Sequence, residues 1–231
     1  MRKVRSLIVN RFEMFDAQDS GLNLIRNALT SNPYRESNNL GFEDILESDN
    51  VIKGSLLRRT PSYIQDYDDE NKTLVRRVIN VFTSFNFSID VELRLVYCEG
   101  GVSNMNALKA AFRNTFSFEY SMESILFSPK NLFDKFIQEN IQFSVNQIVI
   151  KSFNYKNGII GRFHGVVNRQ SAVSDILNEY PTEILKISFD LEISSGELLV
   201  LQSYSNGNLK YLSSEEDSEY YLDLLKKLLF S

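Results

Sequence analysis

The sequence predicts an α+β protein: a largely antiparallel sheet of repeated β-hairpins, written as ββα units, with helices packed on one face. Three observations lead there. Nearly the same four letters occur three times, as SFNF at Ser84–Phe87, SFNY at Ser152–Tyr155 and SFDL at Ser188–Leu191. The first copy continues with period-two alternation: Phe85, Phe87, Ile89, Val91, Leu93 and Leu95 are separated by Asn86, Ser88, Asp90, Glu92 and Arg94. Such alternation gives a strand one wet and one buried face. Finally, each copy is followed by turn residues and then by a helical pattern, starting at Ser103, Gln170 and Ser214.

In chain order, Lys3–Arg11 reads as a first strand. Asp19–Leu29 reads as a short helix, capped by Asp19 or Ser20, with Leu22, Ile25 and Leu29 on one face. The polar stretch from Ser31 to Asn50, rich in Asn and Ser, is expected to be a flexible loop. Gly54–Ile64 and Leu74–Phe82 form an antiparallel pair joined by the acidic loop Asp66–Asn71. The first SFN copy is either one long strand or a hairpin turning near Asp90. Phe116–Phe127 reads as a strand. Ser128-Pro129 opens a helix, Ser as cap and Pro in the first turn, where its missing N–H costs nothing. Leu132, Phe133, Phe136 and Ile137 are its expected buried stripe. Asn157-Gly158 is a strong hairpin signal, and Ser194-Ser195-Gly196 turns the third copy. The final helix has Glu215, Glu216 and Asp217 at its start and Lys226 and Lys227 near its end, matching the helix dipole. Its Tyr221, Leu224, Leu225 and Leu228 suit packing on a sheet. A boundary near Asn140–Val145 divides the chain into an N-terminal half (1–140) with Arg-rich strands and a C-terminal half (141–231). No Pro/Gly-rich linker separates them, so one continuous domain is the alternative.

Composition narrows the function. The 231 residues, 43% hydrophobic and 24% charged, suit a globular protein with a real core. A net charge of −5 argues against a generally basic nucleic-acid coat. No apolar run is long enough to span a membrane. One cysteine, Cys98, rules out an intramolecular disulfide and a cysteine-rich metal site. These features predict a cytoplasmic protein without cofactor or metal.

Reactive residues are few. His164, the single histidine, lies in GRFHGVV, a strand pattern in which a structural role outweighs a catalytic one. Cys98 lies in VYCEGG beside Glu99, which disfavours the thiolate. Gly100-Gly101-x-Ser103-Asn104 lacks the residues of a phosphate-binding loop and reads as a strand-to-helix turn with Ser103 as cap. Asp66, Asp68, Asp69 and Glu70 lack the glycine and closing glutamate of a calcium loop and read as a solvated turn. Glu183, Lys186, Asp190 and Glu192 only loosely match a nuclease pattern. Nine of the thirteen arginines precede residue 80. Arg5, Arg11, Arg59 and Arg77 are the candidates for a groove that grips a nucleic-acid backbone. Arg58 and Arg76 are expected on the opposite sheet face. Twelve acidic residues balance the twelve basic ones in that segment, so a solvated sheet face is the alternative.

The basic first strand, then KGSLLRRTPSYIQDYDD (Lys53–Asp69), then FNFSIDVELRLVYCEGGVSNMNALKAAF (Phe85–Phe112), resemble a group of bacterial proteins of unknown function that accompany phage-defence genes. The likeness covers about the first 115 residues. It implies a cytoplasmic bacterial protein in a multi-component system and supplies no catalytic residues. The expected function is thus a non-enzymatic binding or scaffold protein, a subunit of a bacterial anti-phage complex, with a protein partner or a second copy of itself and no membrane. Nucleic-acid binding through the N-terminal arginines is the first alternative. A metal-dependent nuclease using carboxylates is the second.

Overall fold

Alternation and turn chemistry cast most of the chain as strands, and the computed structural model places them in a large antiparallel sheet with five helices among the described residues. It describes residues 3–15, 21–155, 158–167, 169–193, 198–214 and 217–230. The elements are β1 (Lys3–Met14), α1 (Gly21–Thr30), β2 (Leu40–Ser48), β3 (Val51–Asp68), β4 (Thr73–Asp90), β5 (Leu95–Glu99), α2 (Val102–Thr115), β6 (Tyr120–Ser124), α3 (Pro129–Gln138), β7 (Phe143–Tyr155), β8 (Ile159–Gly165), α4 (Gln170–Glu179), β9 (Ile184–Glu192), β10 (Leu198–Tyr204), β11 (Leu209–Ser213) and α5 (Ser218–Phe230). The class is α+β. No helix among the described residues is long and apolar enough to cross a membrane.

The chain divides into two compact units, Val9–Ser124 and Ile125–Ser231 with Met1–Ile8. Strand β1 contributes to both: Lys3–Leu7 pair with β11, and Asn10–Met14 pair with β6.

In the unit Val9–Ser124 the strand order is β2-β3-β4-β5-β1, with β6 on β1. Its core is a run of phenylalanines. The Phe112 ring lies 5.8 Å from Phe87, 6.0 Å from Phe42 and 4.6 Å from Phe116. Edge and tilted contacts at these distances suit the ring quadrupoles. Gly54 stands opposite Phe87 on β3 and β4. A Cβ at Gly54 would sit 2.5 Å from Ile45 Cδ1 and 3.1 Å from the Phe87 ring, so a bare backbone lets both side chains close over it. Asp90 ends β4 and accepts a hydrogen bond from the Leu93 N–H at 2.9 Å. Arg94 follows with φ 56 and β5 runs back along β4. The first SFN copy is therefore the hairpin alternative.

Ser31–Asn50 is not a loop throughout, as the sequence suggested: β2 occupies Leu40–Ser48. A register shift between Glu43 and Leu46, with Asp44 at φ 53, breaks the period-two pattern that marks a strand. Pairing with β3 and burial of Phe42 hold it in place.

In the unit of Ile125–Ser231 with Met1–Ile8 the order is β1-β11-β10-β9-β7-β8. Phe189 is fully buried, with Phe136 and Phe143 at 5.2 and 5.8 Å. Phe136 belongs to α3, so this helix, N-terminal to the expected boundary at 140, packs within the C-terminal unit. Ser128 caps it, accepting from the Asn131 N–H at 3.2 Å. Ile137 is exposed, so its stripe is Leu132, Phe133 and Phe136. Buried Ser203 donates to the Phe127 carbonyl at 2.6 Å. Ser214 and Asp217 bond reciprocally ahead of α5, where Tyr221, Leu225 and Leu229 are buried.

Each SFN-like stretch lies in a strand followed by a second strand. A helix comes next after β4-β5 and β7-β8, whereas β11 stands between β10 and α5. Phe189 is fully buried, but Phe85 and Phe153 are half-buried. Ser103 is not a cap: α2 starts at Val102 with Gly101 as N-cap and no side-chain cap bond. The expected caps Asp19 and Ser20, the Asn157 turn residue, the Ser194–Gly196 turn and Glu215–Glu216 lie outside the described residues.

Truncating Phe189 removes the ring that Phe136 and Phe143 enclose. Phe189→Ala should cost about 3–5 kcal/mol in denaturant melts. Phe85→Ala, at a half-buried position, should cost clearly less; equal losses would contradict this packing.

Candidate functional site

Strands β3 and β4 pair without interruption from Val51↔Asp90 to Asp68↔Thr73. Their neighbours are shorter. β2 reaches β3 only as far as Arg58, and β5 reaches β4 only from Phe87. The rungs from Arg59↔Phe82 to Asp68↔Thr73 thus form a two-stranded ribbon with no described strand beside it, about 30 Å long at the rise of a strand. Pro61 sits in this stretch, where no further strand calls for its missing N–H. The tip turn is closed by Asp68, whose carboxylate accepts from the Glu70 N–H at 3.0 Å, the Asn71 N–H at 3.1 Å and the Asn71 side chain at 2.9 Å. These bonds, the Asn71 side chain foremost, hold the Asp68 carboxyl below its ordinary range.

The register sorts the ribbon into two faces. Arg59, Tyr63 and Tyr67 share one with Leu74, Arg76, Val78 and Phe82; Arg58, Ile64 and Asp66 share the other with Arg77, Ile79 and Val81. Both faces expose large apolar side chains, and the Tyr63 face exposes more: Tyr63 57%, Tyr67 50%, Leu74 67%, Val78 60% and Phe82 54%, against 40% for each of Ile64, Ile79 and Val81.

The four expected arginines do not share a groove face. Arg59 and Arg77 point to opposite sides, because their rungs are an odd number of residues apart. Arg59 shares its face with Arg76 and Arg77 with Arg58, the reverse of the expected pairing. Three of the four also have a partner within the chain. The Arg59 Nε donates to Asn39 Oδ1 at 2.7 Å and its terminal nitrogen to the Glu36 carbonyl at 2.9 Å, tying down the loop before β2. Arg77 pairs with Asp66 at 3.1 Å. Arg11 stands opposite Glu123 on β6. Arg5 belongs to the other unit, where its Nε donates to Ser213 Oγ at 3.0 Å. The Arg76 guanidinium lies over the Tyr63 ring, 3.7 Å from its centroid.

The remaining candidates are placed as follows. Cys98 is buried against β4, opposite Phe87. Burial, with a smaller contribution from Glu99, pushes its thiol up to about 12. Gly100 takes φ +98, and a Cβ there would lie 2.3 Å from the Asn104 amide, which donates to the Glu99 carbonyl at 2.9 Å. That side chain fills the space a ligand phosphate would need. His164 is exposed on β8, opposite Val149. Asp190 and Glu192 line an open groove of about 530 Å³, and Asp190 accepts from Asn146 at 2.7 Å. Among the described residues no three His, Cys, Asp or Glu side chains are grouped to hold a metal ion.

Sequence reasoning missed the ribbon's apolar faces. Their signal was present in YIQDY and VINVF, where large apolar residues fall on both parities of one strand. It also missed Lys109 and Arg113, one turn apart on α2, which with Tyr120 and Met122 line a pocket of about 270 Å³. Burial, then the Arg113 charge, lowers the Lys109 ammonium from its ordinary value.

No protein-family model matches the chain, and no curated protein matches it.

A raised thiol value means that Cys98 contributes stability below the unfolded value near 9, lost as pH climbs towards about 12. Native protein should therefore resist iodoacetamide at mildly alkaline pH and label rapidly once unfolded. Fast stoichiometric labelling of the folded chain would show an accessible thiolate instead.

Proposed function

We propose that this protein is a non-enzymatic binding or scaffold protein that docks a protein partner through the distal β3–β4 ribbon. The sequence resemblance suggests its setting, as a subunit of a multi-component bacterial anti-phage complex. The observation that supports the reading is the ribbon's apolar surface. Eight large apolar side chains, 40–67% exposed, are gathered on ten rungs that no described strand flanks. An isolated two-stranded ribbon is marginal in water. Contiguous apolar patches of this kind mark interaction sites. The reactive residues add weight: the Cys98 thiol is buried and protonated, and His164 stands on an exposed strand.

Replacing residues 60–81 with an Asn-Gly turn tests the reading while leaving the buried base rungs of β3 and β4 intact. The shortened protein should melt like the full chain and lose the partner that the full chain retains on purification from its host. His164→Ala should leave that partner bound. Identical partners with and without the ribbon would overturn the assignment.

A second reading is favoured by the Tyr63 face alone. Tyr63, Tyr67 and Phe82 lie there with Arg59 and Arg76, and no carboxylate shares the face along the strands. Rings of this kind stack on single-stranded bases while arginines contact phosphates. Such binding falls steeply with salt. Arg76→Glu should then weaken retention of a single-stranded oligonucleotide at low salt, and Arg77→Glu, on the other face, should weaken it much less. Absence of low-salt binding by the wild type ends this reading.

A further inference from the structure

We infer that the pocket between α2 and β6 binds a dianionic phosphate group, held by Lys109, Arg113 and the Tyr120 hydroxyl. The inference goes beyond the docking reading and uses none of the ribbon's residues. Charge, donors and size carry it.

Lys109 and Arg113 stand one turn apart on the same side of α2, a spacing at which like charges repel. Nothing described nearby offsets them. Helix α2 contains no Asp or Glu, and the other lining residues of the pocket are Tyr120 and Met122. These two pair with Met14 and Phe12, and Phe12 meets Phe112 of α2, so this is the sheet face that packs on the helix. Glu13 and Glu123 alternate onto the opposite face. Among the described residues the charge that bears on both Lys109 and Tyr120 is Arg113, and no carboxylate reaches either. The helix C-terminus accounts for Arg113, in the last turn. It does not account for Lys109, partly buried a turn earlier in a chain of net charge −5. Burial and the Arg113 charge both work against the Lys109 ammonium, and a bound anion offsets both.

The donors are set for an oxyanion. Asn10, fully buried on β1, is satisfied when its amide oxygen accepts from the Lys109 ammonium at 2.7 Å and its nitrogen donates to the Val9 carbonyl at 3.0 Å. That bond fixes the ammonium and leaves its other protons for a ligand. Arg113 is exposed and brings its planar fork to the mouth of the pocket. Burial raises the Tyr120 hydroxyl above its ordinary value, so it remains a donor. A phosphate monoester carries close to two negative charges near neutral pH and three terminal oxygens. Two cations and three donor groups match it on both counts. A carboxylate or a phosphodiester brings a single charge and two free oxygens.

The pocket's volume of about 270 Å³ lies just under the roughly 300 Å³ at which sites for whole small molecules begin. It therefore takes a phosphate head with a small substituent.

The test is calorimetric titration of the full chain at neutral pH and constant ionic strength. The probes are inorganic phosphate, methyl phosphate, dimethyl phosphate and acetate. The wild type should bind one equivalent of a dianion, and the singly charged dimethyl phosphate and acetate roughly tenfold or more weakly. Binding of methyl phosphate, with or without inorganic phosphate, assigns the pocket to a monoester; binding of inorganic phosphate alone assigns it to the free ion. Arg113→Gln should weaken the dianion by roughly tenfold or more. Arg113→Lys, which keeps the charge without the fork, should weaken it less. Lys130→Gln, which removes a lysine paired with Asp134 on α3, should leave it unchanged. Thermal melts check that each variant is folded, and the exposure of Arg113 favours this. A wild type that binds neither phosphate overturns the inference. So does an Arg113→Gln variant that binds like the wild type. Dimethyl phosphate bound as tightly as methyl phosphate also overturns it and transfers the pocket to a nucleic-acid backbone. Each of these failures leaves the docking reading of the ribbon standing.

Discussion

The uninterrupted ladder between β3 and β4 is the constraint on which the candidate site depends. Its register is constant from Val51↔Asp90 to Asp68↔Thr73, with no bulge to absorb a slip. Because side chains alternate with a period of two, that single register decides which residue meets water and which meets the core along both strands. At the base it buries Ile52, Leu56, Phe87 and Ile89. At the far end it raises Tyr63 and Val78 on one side and Ile64 and Ile79 on the other, with no described strand beside them. The buried base is what allows an otherwise marginal ribbon to hold its shape, and Asp68 closes the tip by satisfying the turn's own N–H groups.

The same ladder explains why the arginines do not act as one group. Neighbours in sequence, Arg58-Arg59 and Arg76-Arg77, are divided between the faces, and pairing then joins Arg59 to Arg76 and Arg58 to Arg77. Three of these four have visible work inside the chain: Arg59 anchors the loop before β2, Arg77 neutralises Asp66, and Arg76 covers Tyr63. Exposed pairs such as Arg77–Asp66 contribute little to stability.

The remaining polar chemistry is absorbed by the fold. Cys98 fills a place in the core, the Asn104 amide occupies the turn at Gly100, and Asp90 caps the turn into β5. Phenylalanine clusters lie in the core of each unit, around Phe112 in one and Phe189 in the other, and these rings need no hydrogen-bond partners.

Local signals were enough for several elements. Ser128-Pro129 set the start of α3, the SFN alternation set β4 and β9, and Ile25 and Leu29 marked the buried side of α1, because caps, period and burial are encoded within a few residues. The strand β2 was not legible, since its bulge at Glu43–Leu46 scrambles the alternation and only pairing with β3 makes it a strand. Ser103 looked like a cap, yet the positive φ at Gly100 starts α2 earlier. The site divides in the same way. The sequence by itself determined that the chain has one thiol, one imidazole and an arginine-rich first half. Only the tertiary structure decided which arginines share a face and that the apolar residues of YIQDY and VINVF stay exposed. The physical reason is that a face depends on register and a burial depends on neighbours, and both are set by strands far apart in the chain.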